Sequence, residues 1–117
     1  MQNNLNRSRL TQDIVFGIAA RENVDIIILN EPNKRVVQTQ GWYIDHRTDA
    51  IIIIRNNNIP VYNKGKGDEF AWMETEYFVI YSCYSSPNID MQMFHQFLIE
   101  LVHDVRQHNK PVIVEGT

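Results

Sequence analysis

The sequence predicts an α/β fold built mostly of antiparallel strands with two helices. Three observations carry that reading. Valine and isoleucine together supply 25 of the 117 residues, and side chains branched at Cβ suit a pleated surface better than a helix. Residues 26–29 and 50–54 are apolar without interruption, the pattern of strands buried on both faces. Two segments, one after Ser8 and one after Asp90, instead repeat apolar residues at helical spacing.

In chain order, residues 1–5 read as the weak tail of a strand, because Gln2, Asn3 and Asn4 are polar. From Ser8, the recurrence of Leu10, Ile14 and Ile18, widened by Val15 and Ala19, predicts a helix with its apolar stripe along those residues. Asn6 or Ser8 caps its start, Gly17 weakens its middle, and Asn23 ends it. Residues 25–30 form a buried strand, stopped by Glu31-Pro32 because proline cannot donate to a ladder. Residues 34–41 read as an exposed loop, 42–45 as a short strand, and 50–55 as a second buried strand. Asn56-Asn57-Asn58 is a turn signal. Residues 60–63, 69–73 and 77–84 then read as strands of an antiparallel meander, with Lys64-Gly65-Lys66-Gly67 as one of its turns.

The second helix has Asp90 as N-cap and an apolar stripe of Met93, Phe94, Phe97, Leu98, Leu101, Val102 and Val105. Asn109 and Pro111 end it, and Val112-Ile113-Val114 starts a last strand.

Composition bounds the function. Eleven Lys+Arg against fourteen Asp+Glu give a net charge of −3, which argues against a protein that lives on non-specific phosphate contacts. A nuclease stays open, because metal ions can carry the positive charge at a phosphate. The apolar runs are far short of the ~20 residues a membrane span needs, so no membrane partner is expected. No secretory signal opens the chain. The lone Cys83 forms no internal disulfide and reads as a small core residue.

Three residues stand where chemistry could be done. Glu31 follows a buried strand, and the carboxyl ends of strands are where α/β sheets bind ligands. Read from position alone, it is a solvated loop glutamate or a carboxylate that holds Mg²⁺, a hard ion taking oxygen ligands. Asn6 is a turn or capping asparagine, or an amide oxygen for a metal or phosphate. Tyr84 ends the longest strand, as a rim aromatic or a phenol that donates to a phosphate oxygen. The four histidines show no metal-ligand spacing. Neither a complete phosphate loop nor a Gly-x-Ser-x-Gly, Cys-x-x-Cys or Gly-x-Gly-x-x-Gly run occurs.

The order of these signals is more specific than any one of them. Asn4-Leu5-Asn6-Arg7-Ser8-Arg9, a helix, and a strand ending Asn30-Glu31-Pro32 are followed by Tyr81-Ser82-Cys83-Tyr84-Ser85-Ser86-Pro87-Asn88, a second helix, and Pro111-Val112-Ile113-Val114. The chain resembles the apurinic-like endonuclease domain of insect-type non-LTR retrotransposons, in the endonuclease/exonuclease/phosphatase superfamily. The resemblance runs over nearly the whole chain and matches about the first half of such a domain. It implies the N-terminal half of a four-layered α/β sandwich, and Mg²⁺-dependent cleavage of a DNA phosphodiester in an intracellular setting with access to chromosomal DNA. It also implies site roles. Glu31 matches the metal-binding glutamate, Asn6 the active-site asparagine that serves the metal and the phosphate, and Tyr84 the active-site tyrosine. Asn88 closes the same segment without a catalytic role.

The departure lies at the end of the sequence. The family continues past the strand at Val112 with Gly-Asp-Phe-Asn and later Ser-Asp-His, whereas Val114-Glu115-Gly116-Thr117 stands here. The expectation is therefore a single partial domain over residues 1–117, a fragment or degenerate copy of the nuclease, inactive as an isolated chain. The alternative is a non-catalytic α/β module that self-associates through a sheet face left uncovered by half a sandwich.

Overall fold

The structure is a computed structural model that describes residues 2–5, 7, 9–32, 42–47, 49–56, 58–85 and 90–116, with residues 3, 4 and 9 described by backbone alone. Eight strands and two helices alternate as β1 (Gln2–Asn4), α1 (Arg9–Arg21), β2 (Ile26–Asn30), β3 (Trp42–Ile44), β4 (Ala50–Ile54), β5 (Asn63–Lys66), β6 (Phe70–Glu74), β7 (Val79–Cys83), α2 (Met91–Val105) and β8 (Val112–Gly116). They form two four-stranded sheets, ordered β1-β2-β4-β3 and β5-β6-β7-β8. Each sheet has one parallel pair, β1 with β2 and β7 with β8, and each parallel pair is bridged by a helix. The other pairs are antiparallel.

Period-two alternation sorts the side chains into layers. Ile27, Leu29, Ile51 and Ile53 face α1, where they meet Leu5, Val15 and Ala19. Ile28, Ile52, Met73 and Ile80 fill the seam between the sheets, joined by Ile26, Tyr43 and Ile54. Phe70, Val79, Tyr81 and Cys83 face α2 through Phe97, Leu101 and Val105. The order is thus helix, sheet, sheet, helix: four layers within 117 residues. The expected uncovered sheet face is not found among the described residues. Each sheet is covered by the other on one side and by its own helix on the second. One of the sheet edges, the outer edge of β8, carries apolar side chains, with Ile113 and Val114 roughly half exposed. No helix among the described residues is long and apolar enough to cross a membrane.

Three local expectations change. In α1 the buried stripe is Gln12, Val15 and Ala19, while Leu10 is 71% exposed and Ile14 53%. The helix is rotated so that small Ala19 and half-buried Phe16 lie against the sheet, with Phe16 stacked on Trp42 at 5.7 Å. Residues 60–62 are not a strand, and Lys64-Gly65-Lys66 is not a turn but the body of β5. Gly65 permits this, because a Cβ there would lie 2.4 Å from the Trp72 indole across the ladder. In α2, Phe97, Leu101 and Val105 pack, whereas Met93, Leu98 and Val102 are exposed. The Asp90 cap forms as expected, accepting from the Met93 amide at 2.8 Å. The loop expected over residues 34–41 and the Asn6, Ser8 and Asn57 readings lie outside the described residues.

Candidate active site

The carboxyl ends of β2 and β7 meet at one end of the seam. Both strands leave their sheets there, and four hydrogen bonds hold the junction. Asn30, the last residue of β2, has the same parity as Ile26 and Ile28 and so points into the seam. Its Nδ2 donates to the Cys83 carbonyl at 3.0 Å. The Tyr84 amide donates to the Glu69 carbonyl at 2.9 Å, tying the end of β7 to the start of β6. The Glu31 amide donates to the Asp49 carbonyl at 2.9 Å, and the Glu31 carbonyl accepts from the Arg7 amide at 2.7 Å.

Glu31 turns out of the strand with φ 51°, and Arg7 has φ 61°. Non-glycine residues in this left-handed region are uncommon and cluster at functional sites. The turn aims the Glu31 side chain across the seam, where its Oε1 accepts from the Tyr84 hydroxyl. A residue from one sheet and a residue from the other, 53 positions apart, are thereby joined. Burial and the bond to Glu31 push the Tyr84 phenol up to about 12, so at neutral pH it is a proton donor in a hydrogen bond and not a base.

The surroundings are charged. Arg7 donates to Asp49 Oδ1 at 2.5 Å. That bond holds the guanidinium firmly in its charged form, with smaller help from Glu31 and Tyr84 nearby. Asp45 Oδ1 accepts from the Asp49 and Ala50 amides at 2.7 and 3.1 Å, which shapes the loop before β4. Glu69 faces Arg47 at 3.4 Å. Its own burial, and then the neighbouring aspartates, raise its carboxyl above the usual range against the pull of Arg47.

Glu31 and Tyr84 are thus brought together. Asn6, Asn88 and Thr117 lie outside the described residues. Arg7, Asp49 and the orienting role of Asn30 were not singled out from the sequence. Asn30 had a signal: a polar residue on the inward parity of an otherwise apolar strand. Asp49 and Arg7 had none, since their pairing spans 42 residues.

The donor set suits a hard cation. Glu31 offers a carboxylate, and its chain neighbour Asn30 an amide oxygen that is buried with no hydrogen-bond partner among the described residues. One or two carboxylates completed by waters and substrate oxygens is the arrangement Mg²⁺ takes. No group of three or more His, Cys, Asp or Glu side chains that could form an all-protein cage is found among the described residues.

No protein-family model matches the chain, and no curated protein matches it. Solved structures do. One is the endonuclease domain of TRAS1, a telomere-specific non-LTR retrotransposon, superposing with a TM-score of 0.74 at 16% identity over 98% of this chain. The match spans 56% of that domain. In its two helices and two mostly antiparallel sheets, the chain therefore has the α/β fold of a non-LTR retrotransposon endonuclease domain over about half of that domain's length.

Proposed function

We propose that the chain carries the Glu31–Tyr84 part of a Mg²⁺-dependent DNA endonuclease site of the target-nicking kind, and that residues 1–117 alone do not turn over. The observation that supports this most is the Tyr84–Glu31 hydrogen bond across the seam, on a fold shared with a retrotransposon endonuclease domain.

Each side chain has a definable task. Glu31 would hold the cation through its carboxylate. A bound Mg²⁺ supplies Lewis-acid polarisation of the phosphoryl oxygen. Tyr84, as a neutral phenol, donates its single hydroxyl proton to Glu31 and so fixes that rotamer. The Arg7 guanidinium, anchored on Asp49, adds positive charge beside the same phosphate. Asn6 is assigned to the metal and the phosphate by resemblance. Neither a Gly-Asp-Phe-Asn nor a Ser-Asp-His run occurs in residues 1–117. The water-activating and acid–base groups of the family are therefore not supplied by this stretch, and losing one such partner typically removes ~10²–10⁴-fold of rate.

Two assays test the reading. Mn²⁺, used as a paramagnetic probe, should bind at one weak site that Glu31→Ala abolishes, and equal binding by both proteins overturns the assignment of Glu31. Supercoiled plasmid with Mg²⁺ should be nicked no faster by the wild type than by Glu31→Ala, and nicking lost only in the variant overturns the inactivity. A second reading, self-association, is favoured by the open β8 edge. A monomer by light scattering would dismiss it.

A further inference from the structure

The Lys64-Gly65-Lys66 run has no part in the Glu31–Tyr84 site, yet β5 places it on a distinctive surface. Lys64 pairs with Met73 and Lys66 with Ala71. Since Met73 belongs to the seam, both lysines point to the seam side, at the outer edge where β5 and β3 end their two sheets. Both are exposed, and neither has an ion-pair partner among the described residues.

Aromatic rings lie between and beside them. The Lys64 ammonium stands 5.6 Å over the Tyr43 ring. Tyr62 is 58% exposed, and one face of its ring is held by Lys110 at 5.1 Å. Lys110 is itself fixed by Glu74 at 2.6 Å and the Thr75 carbonyl at 2.8 Å. Two adjoining hollows share Tyr43 and Lys64. One of about 370 Å³ is lined further by Trp42 and Lys66, and one of about 320 Å³ further by Tyr62. The result is a strip about 13 Å long at strand rise, running from Tyr62 past Tyr43 and Lys64 to Lys66.

We propose that this β3–β5 edge binds a single strand of nucleic acid, with bases on Tyr62 and Tyr43 and phosphates on Lys64 and Lys66. One exposed ring, Tyr62, and one half-buried ring, Tyr43, beside cations without ion-pair partners suit an unpaired strand, because every base has a face to stack and its phosphate takes a charge beside it. A duplex, its bases already stacked, would find only two free lysines. An acidic peptide would use the lysines and leave the rings idle. The strip also leads somewhere. At its Lys66 end, the Gly67 carbonyl accepts from the His46 amide at 2.9 Å, and the following turn reaches Glu69, whose carbonyl holds the Tyr84 amide. A strand on the strip therefore arrives at the same end of the sandwich as Glu31 and Tyr84. The proposal uses side chains outside that pair, so the two readings stand or fall separately.

The test is fluorescence anisotropy with a labelled oligothymidylate, the whole 117-residue chain and a salt series. Tyr62→Ala should weaken binding about 5- to 150-fold, the loss expected for one stacked base. Lys64→Gln with Lys66→Gln should lower the slope of log affinity on log salt by about 1.4, the value for two phosphate contacts on a single strand. All three side chains are exposed, so urea midpoints should match the wild type. Binding unchanged in both variants overturns the proposal. So does tighter binding of the matching duplex, or displacement by polyglutamate as effective as by unlabelled oligothymidylate. Oligothymidylate binding lost in the strip variants but kept in Glu31→Ala supports the strip whether or not Glu31 holds a cation. Absent strand binding with intact Mn²⁺ binding sinks the strip and leaves the site assignment standing.

Discussion

The Tyr84 hydroxyl, at the end of one sheet, donates to the Glu31 carboxylate at the end of the other. The contact sets how Tyr84 titrates. Its pKa rises from 10 to about 12, first through burial and then through the bond to Glu31. A raised pKa favours the protonated form, so the stability this group contributes is complete below pH 10 and is lost as pH climbs through about 12. The difference in tyrosinate absorbance between the wild type and Tyr84→Phe isolates this group. Its midpoint should lie near 12 and fall part of the way back toward 10 in Glu31→Gln, only part because burial is the larger cause. A midpoint at the ordinary value in the wild type would show that the bond does not form.

Glu31 also has a backbone cost. Its φ of 51° suits asparagine far better than a β-branched residue. Glu31→Asn should lose only the Tyr84 hydrogen bond, about 0.5–1.5 kcal/mol, while abolishing the Mn²⁺ site. Glu31→Val should lose the same bond and about 1–3 kcal/mol more, the cost of a strained backbone. Urea unfolding of the two variants checks this, and equal losses would mean that the strain is not there.

How much of this was legible in the sequence depends on the range of the signal. The buried strands at 26–30 and 50–54, the α2 segment and its Asp90 cap are written in neighbouring residues, and each appears where expected. The meander appears with its first strand displaced. Val61 and Tyr62 carry strand propensity, but Lys64-Gly65-Lys66 takes the ladder because Trp72 covers Gly65 from β6. That is a tertiary reason which no local window contains. The α1 stripe failed likewise. Leu10 and Ile14 are more apolar than Gln12 and Ala19, yet the close approach to the sheet selects the small side chain. At the site, Glu31 and Tyr84 were readable as strand ends and by resemblance. The Arg7–Asp49 pair was not, because only the folded chain brings those residues together.

Asn30 gives a prediction with a pH sign. Its Nδ2 donates to the Cys83 carbonyl at 3.0 Å within the buried seam. Asn30→Asp replaces that donor by a carboxylate facing a carbonyl. Ionised, it should destabilise the fold by about 3 kcal/mol or more. Burial raises its pKa above the ordinary value of about 3.9, so the penalty grows as pH rises through that range, and the protonated acid recovers a donor below it. Thermal unfolding of the variant across the acid range should show stability falling toward neutral pH. A loss that does not change with pH would refute this account of the Asn30 bond.

Two glycine-to-alanine changes should act in opposite directions. At Gly65 a methyl group would meet Trp72 Nε1, Cε2 and Cζ2 at 2.4–2.7 Å. The indole has little room to retreat, being packed edge-on against His108 at 4.5 Å and stacked near Tyr81 at 6.1 Å. Tyr81 is itself fixed by hydrogen bonds to Asp104 and, at 2.8 Å, to His108. Gly65→Ala should therefore cost about 1–3 kcal/mol by overpacking. Gly17, inside α1, has nothing within 4 Å of the added Cβ, so Gly17→Ala should stabilise by about 0.4–1 kcal/mol through helix propensity and a less flexible unfolded chain. Paired urea melts decide the matter. If Gly65→Ala were as stable as the wild type, the Trp72–Gly65 contact would not be what holds β5 in its register, and the lysine strip built on that register would lose its foundation.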